Sequence, residues 1–252
     1  MQPKATFAFY AKLVIEMPDS IVVARRFRGP PDSGNGGYTC GLVGSFLDGS
    51  AEVTLRSPPP LERALDVARS GDVVRVSAGE QLVAEGKLAT VELEVPRAPT
   101  FDEATKASAR FPWREGHPYP TCFVCGPERA PGDGLCIHPG AVEGRELAAA
   151  PFVPDASVVD EHGVLRREIA WATLDCPSWF GFQCLHPFEG RILLGRLAAR
   201  IDALPRVGDR CIAAGWTLGR EGRKIRCGSA LYAEDGALLA VGSATWIVLN
   251  DR

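Results

Sequence analysis

The chain has 252 residues, 46% of them hydrophobic, enough for one large or two small domains with a real apolar core. Its 28 Lys and Arg stand against 31 Asp and Glu, a net charge of -3, so no basic excess draws it to nucleic acid or to an anionic membrane. Eight cysteines spread over so long a chain read as reduced thiols, not as a disulfide framework.

Residues 1–19 are a mixed apolar run broken by Glu16 and Pro18, neither a signal peptide nor a membrane span, and the expected location is cytoplasmic. A β-rich stretch at 21–27 leads into Gly34-Asn35-Gly36-Gly37, a glycine-rich turn that runs without a break into a small-residue helix. Backbone N–H groups at such a helix mouth suit an acyl or phosphate oxygen; the alternative is a tight turn with no ligand. Strand patterns follow at 51–56, 64–67, 73–77 and 81–95.

Residues 96–140 are rich in Pro, Gly and charge, but Phe111, Trp113, Tyr119 and Phe123 are interleaved, so an ordered connector packed across one face is expected. Beyond it the grammar of the first half returns. A strand at 146–153 precedes an apolar helix at 167–180, and strands follow at 192–201, 211–218, 224–233 and 238–249.

Two echoes support an internal duplication. Leu82-Val83-Ala84-Glu85-Gly86 matches Leu238-Leu239-Ala240-Val241-Gly242, and Pro60 and Pro205 each divide the first strand after a helix from the next. One helix followed by antiparallel strands, twice over, is α+β grammar, with the strands curling round the helix.

Within the connector, Cys122-Phe123-Val124-Cys125-Gly126 is the half-site that commonly grips zinc with two thiolates. Cys136 and His138 follow at a reach that would complete a structural zinc site, with His117 just upstream; redox use and buried free thiols stabilising a turn are the alternatives. Cys40, Cys176, Cys184, Cys211 and Cys227 lie in apolar runs and read as small buried hydrophobes. Asp175 also stands in an apolar run, costly unless it has a purpose; the alternative is an inert acid before Cys176-Pro177.

A strand, a glycine turn, a small-residue helix and a strongly curved antiparallel sheet, twice over, resemble the double-hotdog acyl-CoA thioesterases. The residues that carry this are Gly34 to Gly37, Trp171-Ala172-Thr173-Leu174-Asp175-Cys176-Pro177, and the run from Val207-Gly208-Asp209-Arg210 to Ala244-Thr245-Trp246. The resemblance implies two tandem hotdogs, residues 1–95 and 141–252, on either side of the 96–140 connector, and a pseudo-dimer that could pair further as a homodimer. It implies hydrolysis of acyl-CoA-type thioesters with Asp175 as general base or nucleophile and no cofactor required for catalysis. Asn35 would take the place of the family's turn histidine, and the N–H of Gly37 or Tyr38 would hold the oxyanion.

Gly36, Tyr38, Thr173, Trp171 and Trp179 would line the substrate site, with Thr173 and Ser45 orienting water. Because Gly44 and Ser45 stand where the first helix would carry a carboxylate, and Leu165-Arg166-Arg167-Glu168 replaces the second Gly-Gly turn, one working site and one degenerate site are expected. Arg25, Arg26, Arg28, Arg166 and Arg167 are candidates for coenzyme A phosphates. Gly132-Asp133-Gly134-Leu135-Cys136-Ile137-His138 has the Asp-to-His spacing of hotdog enoyl-CoA hydratases but lacks their Asn-Pro. A hydratase and a non-catalytic acyl-binding protein are the other readings.

Overall fold

The computed structural model describes residues 20–186 and 188–249; the expectations for residues 1–19 lie outside them. In chain order the elements are β1 (Ser20–Val22), α1 (Gly36–Gly44), β2 (Ala51–Leu55), β3 (Ala64–Ser70), β4 (Val73–Ala78), β5 (Gln81–Leu88) and α2 (Phe101–Ser108). Then come β6 (Gly140–Ala141), β7 (Ala148–Phe152), α3 (Arg167–Gln183), β8 (Ile192–Ile201), β9 (Cys211–Glu221), β10 (Lys224–Ala233) and β11 (Leu238–Val248). The stretch at 21–27 is a strand only as far as Val22 and continues as a 3-10 turn at Arg25–Phe27. β5 stops at Leu88, short of the expected 95.

All the strands form one antiparallel sheet of 11, ordered β1-β3-β4-β5-β2-β8-β11-β10-β9-β7-β6. The junction is β2 on β8, with Ala51 opposite Ala199 and Val53 opposite Leu197. Counting outward from it, one side runs β2, β5, β4, β3, β1 and the other β8, β11, β10, β9, β7, β6, so the first strand after each helix is innermost and the strand before it lies at the far end, with only the two-residue β6 beyond β7. The sequence echoes fall on equivalent strands for a packing reason. A Cβ at Gly86 of β5 would lie 2.9 Å from Val43 of α1, and one at Gly242 of β11 would lie 3.3 Å from Leu174 of α3. Each echo therefore keeps a glycine where a helix presses on its strand.

The two helices pack against each other along small residues. A Cβ at Gly37 would come 2.5 Å from the Asp175 Cβ, and one at Gly41 would come 2.5 Å from the Glu168 Cα. The i, i+4 glycines of α1 thus form the face on which α3 closes. This corrects the first reading of the small-residue helix: its glycines serve helix contact as well as the turn.

The outer face of the sheet differs between the halves. On β2, β4 and β5 it carries ion pairs among Glu52, Lys87, Arg75 and Glu85, and water covers it. On β7, β9 and β10 it is apolar, with Ile212, Trp216 and Tyr232, and the segment from Val91 through α2 covers it with Val91, Ala104 and Ala107. Tyr232 Oη donates to Pro96 O at 2.7 Å. The connector contains α2, a helix that the expectation of an ordered connector did not include. Its start is a capping box in which Thr100 Oγ1 accepts from Glu103 N and Glu103 Oε2 accepts from Thr100 N. The chain then crosses to the helix side, where Phe111 and Phe123 join the main core.

Candidate functional site

The site is built where α1 begins. Asn35 is its N-cap: the side-chain Oδ1 accepts from Tyr38 N at 2.9 Å, satisfying one of the amides that a helix start leaves free. That leaves the Nδ2 end to point away from the helix, and it donates to Asp175 Oδ2 at 2.8 Å. Gly37 N donates to the same oxygen at 2.8 Å. Asp175, from the middle of α3, therefore acts as a second cap on α1, its charge placed at the positive end of the helix dipole.

Asn35 and Asp175 are both 2% exposed. Burial pushes the Asp175 carboxyl up to about 7, against the Gly37 and Asn35 donors, which favour the ionised form; the Cys122 sulfur adds to the upward push. Its other oxygen, Oδ1, is buried and has no hydrogen-bond partner among the described residues. Asp175 and Asn35 stand on the wall of a cavity of about 240 Å³. Trp113, Trp179, Ile192, Leu194 and Trp246 make the wall apolar, and Gly36, at the first position of α1, also lines it. Trp246 is held by Ser178, whose Oγ accepts from its indole Nε1 at 2.8 Å.

On the same wall the connector meets α3. The sulfurs of Cys122, Cys125 and Cys176 lie within 4.8 Å of one another, all three residues buried. Cys122 and Cys176 are 3.8 Å apart, and Asn35 Nδ2 is 3.8 Å from Cys122 Sγ. His117 accepts Tyr119 N–H on Nδ1 at 2.9 Å, so the proton of the neutral ring is on Nε2, which lies 3.3 Å from Cys125 Sγ. Burial holds the His117 pKa down at about 4, so the ring is neutral near pH 7. The Cys122 thiol is shifted downward because the other two thiols and the amides of Cys125 and Val124 donate to its sulfur. Burial raises Cys125, and the contact with Cys122 raises Cys176.

Several expected site residues fall elsewhere. The Gly37 and Tyr38 N–H groups expected to hold an oxyanion are taken by Asp175 and Asn35. Tyr38 stacks on Phe27 with ring centres 4.0 Å apart, Trp171 packs where a Cβ at Gly44 would be, and neither lines the cavity. The hydroxyls of Thr173 and Ser45 donate to Ala170 O and Leu42 O, and neither residue lines the cavity. Of the five expected substrate residues, Gly36 and Trp179 line the cavity.

The four-ligand zinc set is also rearranged. Cys136 Sγ points to the carbonyls of Arg129 and Gly134, and His138 packs on Phe111; the third thiol of the group is Cys176, which the sequence had placed among the buried hydrophobes. Asp133 is held by Arg129 Nη1 at 2.7 Å, and neither it nor His138 lines the cavity, so the hydratase pair is not assembled there. Arg26 bonds Gly132 O, Asp133 O and Ser157, Arg28 bonds Thr121, and Arg167 bonds Gly49 O, so each is tied within the chain. Arg166 caps α3 without a side-chain cap bond and faces Glu168 at 3.5 Å.

No protein-family model and no curated protein matches the chain. Solved structures do match over most of its length. A Novosphingobium aromaticivorans protein proposed to be a thioesterase is 14% identical, with a TM-score of 0.60 over 92% of this chain and 95% of its own. A conserved protein of unknown function with a hotdog fold from Alicyclobacillus acidocaldarius is 10% identical, with a TM-score of 0.58 over 92% of each. The acyl-CoA thioesterase II TesB2 of Mycobacterium marinum is 14% identical, with a TM-score of 0.57 over 91% of each. The fold is that of the hotdog proteins, and among the described residues no helix is long and apolar enough to cross a membrane.

Proposed function

We propose that the chain is a hydrolase of acyl-CoA-type thioesters made of two tandem hotdog units, residues 1–95 and 141–252, joined by the connector at 96–140. The mirrored strand order about β2 and β8 supports the duplication. The observation that carries the activity is Asp175, a cavity-lining residue: a buried carboxylate oriented by Asn35 and Gly37 through Oδ2, with Oδ1 left without a hydrogen-bond partner among the described residues. Such a group serves as general base. Asp175 takes a proton from water as the water oxygen bonds to the thioester carbon, and returns that proton to the sulfur as the C–S bond breaks, so that the free thiol leaves and the carboxylate is restored. Gly36, at the first helical position and on the cavity wall, takes over the oxyanion role first assigned to Gly37 and Tyr38, with the helix dipole behind it.

The cavity is smaller than the usual drug-sized pocket of about 300–1,000 Å³. It suits a short or compact acyl group, with the bulk of the thiol carrier outside. The test is thiol release from a panel of acyl-CoA esters by the wild type and by Asp175→Asn. Turnover that the variant loses supports the reading; equal rates remove Asp175 from the mechanism. One observation favours a second reading as a non-catalytic binding protein, namely that the Gly37 and Tyr38 N–H groups are already engaged. That protein would show thermal stabilisation by acyl-CoA without thiol release.

A further inference from the structure

We propose that Cys122, Cys125 and Cys176 bind one thiophilic divalent cation, zinc above others, as three thiolates, with the fourth coordination position on the cavity side. The first ground is spacing. Zn–S bonds of about 2.3 Å put the sulfurs of a tetrahedral site about 3.8 Å apart, and Cys122 and Cys176 stand at 3.8 Å with Cys125 in the same group. Buried thiols from segments 51 residues apart in sequence, 125 to 176, meet there without forming a disulfide.

The second ground is the shape of the Cys122–Gly126 turn. Gly126 N donates to Cys122 O at 2.9 Å, which closes the turn with both sulfurs on buried residues. A Cβ at Gly126 would lie 2.5 Å from both Cys122 N and Pro120 O, so only glycine closes this knuckle. A C-x-x-C-G turn closed in this way is the half-site that holds a metal with two thiolates.

The third ground is the ring of donors around the group. Asn35 Nδ2 lies within reach of Cys122, and the protonated Nε2 of His117 faces Cys125. His117 is therefore an outer partner and not a ligand, since its Nδ1 is occupied by Tyr119 N–H. Both of these neighbours offer a hydrogen to sulfur. Such a shell suits anionic sulfurs, and buried anions beside the Asp175 carboxyl call for a cation. All three cysteines line the cavity, so the side left open by the sulfurs faces it and water completes the tetrahedron there. Bound this way, the ion ties the connector to α3 at the residue next to Asp175. Soft sulfur ligands exclude magnesium and calcium.

Metal content by mass spectrometry of the full chain, purified under reducing conditions without chelator, tests this apart from any activity. About one zinc per chain is expected in the wild type and in Cys136→Ser, with loss in Cys122→Ser and Cys176→Ser. Because a misfolded variant would also lose metal, wild type stripped of metal and reloaded with cobalt(II) provides the second measurement. It should show intense sulfur-to-cobalt charge-transfer absorption and tetrahedral visible bands. Absence of stoichiometric metal together with no cobalt spectrum overturns the proposal. So does zinc that Cys136→Ser removes and a folded Cys176→Ser retains, or a Cys122–Cys125 disulfide in the reduced preparation.

Discussion

Asn35 and Asp175, 140 residues apart in sequence, meet at 2.8 Å between the two central helices, the amide donating and the carboxylate accepting. The asparagine is suited to both of its tasks, because its oxygen caps α1 while its nitrogen holds the carboxylate of α3. Aspartate offers no donor, and serine would have to accept and donate through a single oxygen.

Removing the carboxylate should cost stability as well as turnover. Asp175→Ala leaves the Asn35 Nδ2 and the Gly37 N–H without their acceptor in a buried interface, a loss of about 1–3 kcal/mol. Urea unfolding measures it. Asp175→Asn keeps an acceptor oxygen for those donors, so it should lose less stability while slowing thiol release by about 10²–10⁴-fold. A variant that falls equally in both would mark Asp175 as a cap alone.

Asn35→Asp separates capping from helix pairing. Aspartate caps a helix about as well as asparagine, but it replaces the donor to Asp175 with a second buried carboxylate. We expect a loss of about 1–3 kcal/mol in chemical denaturation, and reduced thiol release. Unchanged stability would show that the capping bond, and not the contact with Asp175, is what matters at this position.

Gly41→Ala reverses the usual sign of a helix substitution. In an exposed helix alanine gains about 1 kcal/mol over glycine. Here the new methyl would lie 2.5 Å from the Glu168 Cα, and α3 is too tightly packed between α1 and the sheet to retreat freely. Overpacking should cost about 1–3 kcal/mol, read as a lower urea midpoint. A stabilised Gly41→Ala would mean that the helix pair has slack.

Arg129 tests how the knuckle is held. Its guanidinium is buried and binds Thr121 O, Asp133 Oδ2 and Arg26 O, at 2.8, 2.7 and 2.8 Å. Arg129→Ala should speed amide hydrogen exchange across residues 120–137 while the strands of the sheet exchange as before. Equal protection in this segment would show that the apolar contacts of Phe123 suffice.

Much of the secondary structure was legible from local pattern. The strands at 192–201 and 224–233 match β8 and β10 residue for residue, because alternation and turn signals bound them. α3 extends three residues beyond the expected 180, since the apolar face continues through Phe182. α2 was missed although Thr100-x-x-Glu103 is a start signal; the polar composition of the connector masked it. The glycines of α1 carried two messages. Their placement before a helix suggested an anion site, while the Gly37/Gly41 spacing announced a helix contact that was passed over.

By itself, the sequence determined the alternation of strands, the two central helices, the repeated order of the halves, and the oddity of an aspartate in an apolar helix. Those are short-range properties, set by periodicity, turn chemistry and the cost of burying charge. Only the tertiary structure decided the partners. It gave the free amides of α1 to Asp175 and Asn35, left Thr173 and Tyr38 out of the cavity, and brought Cys176 instead of Cys136 to the knuckle. Which polar groups meet depends on how closely two helices approach and where the connector crosses them, and that follows from packing between residues far apart in the chain.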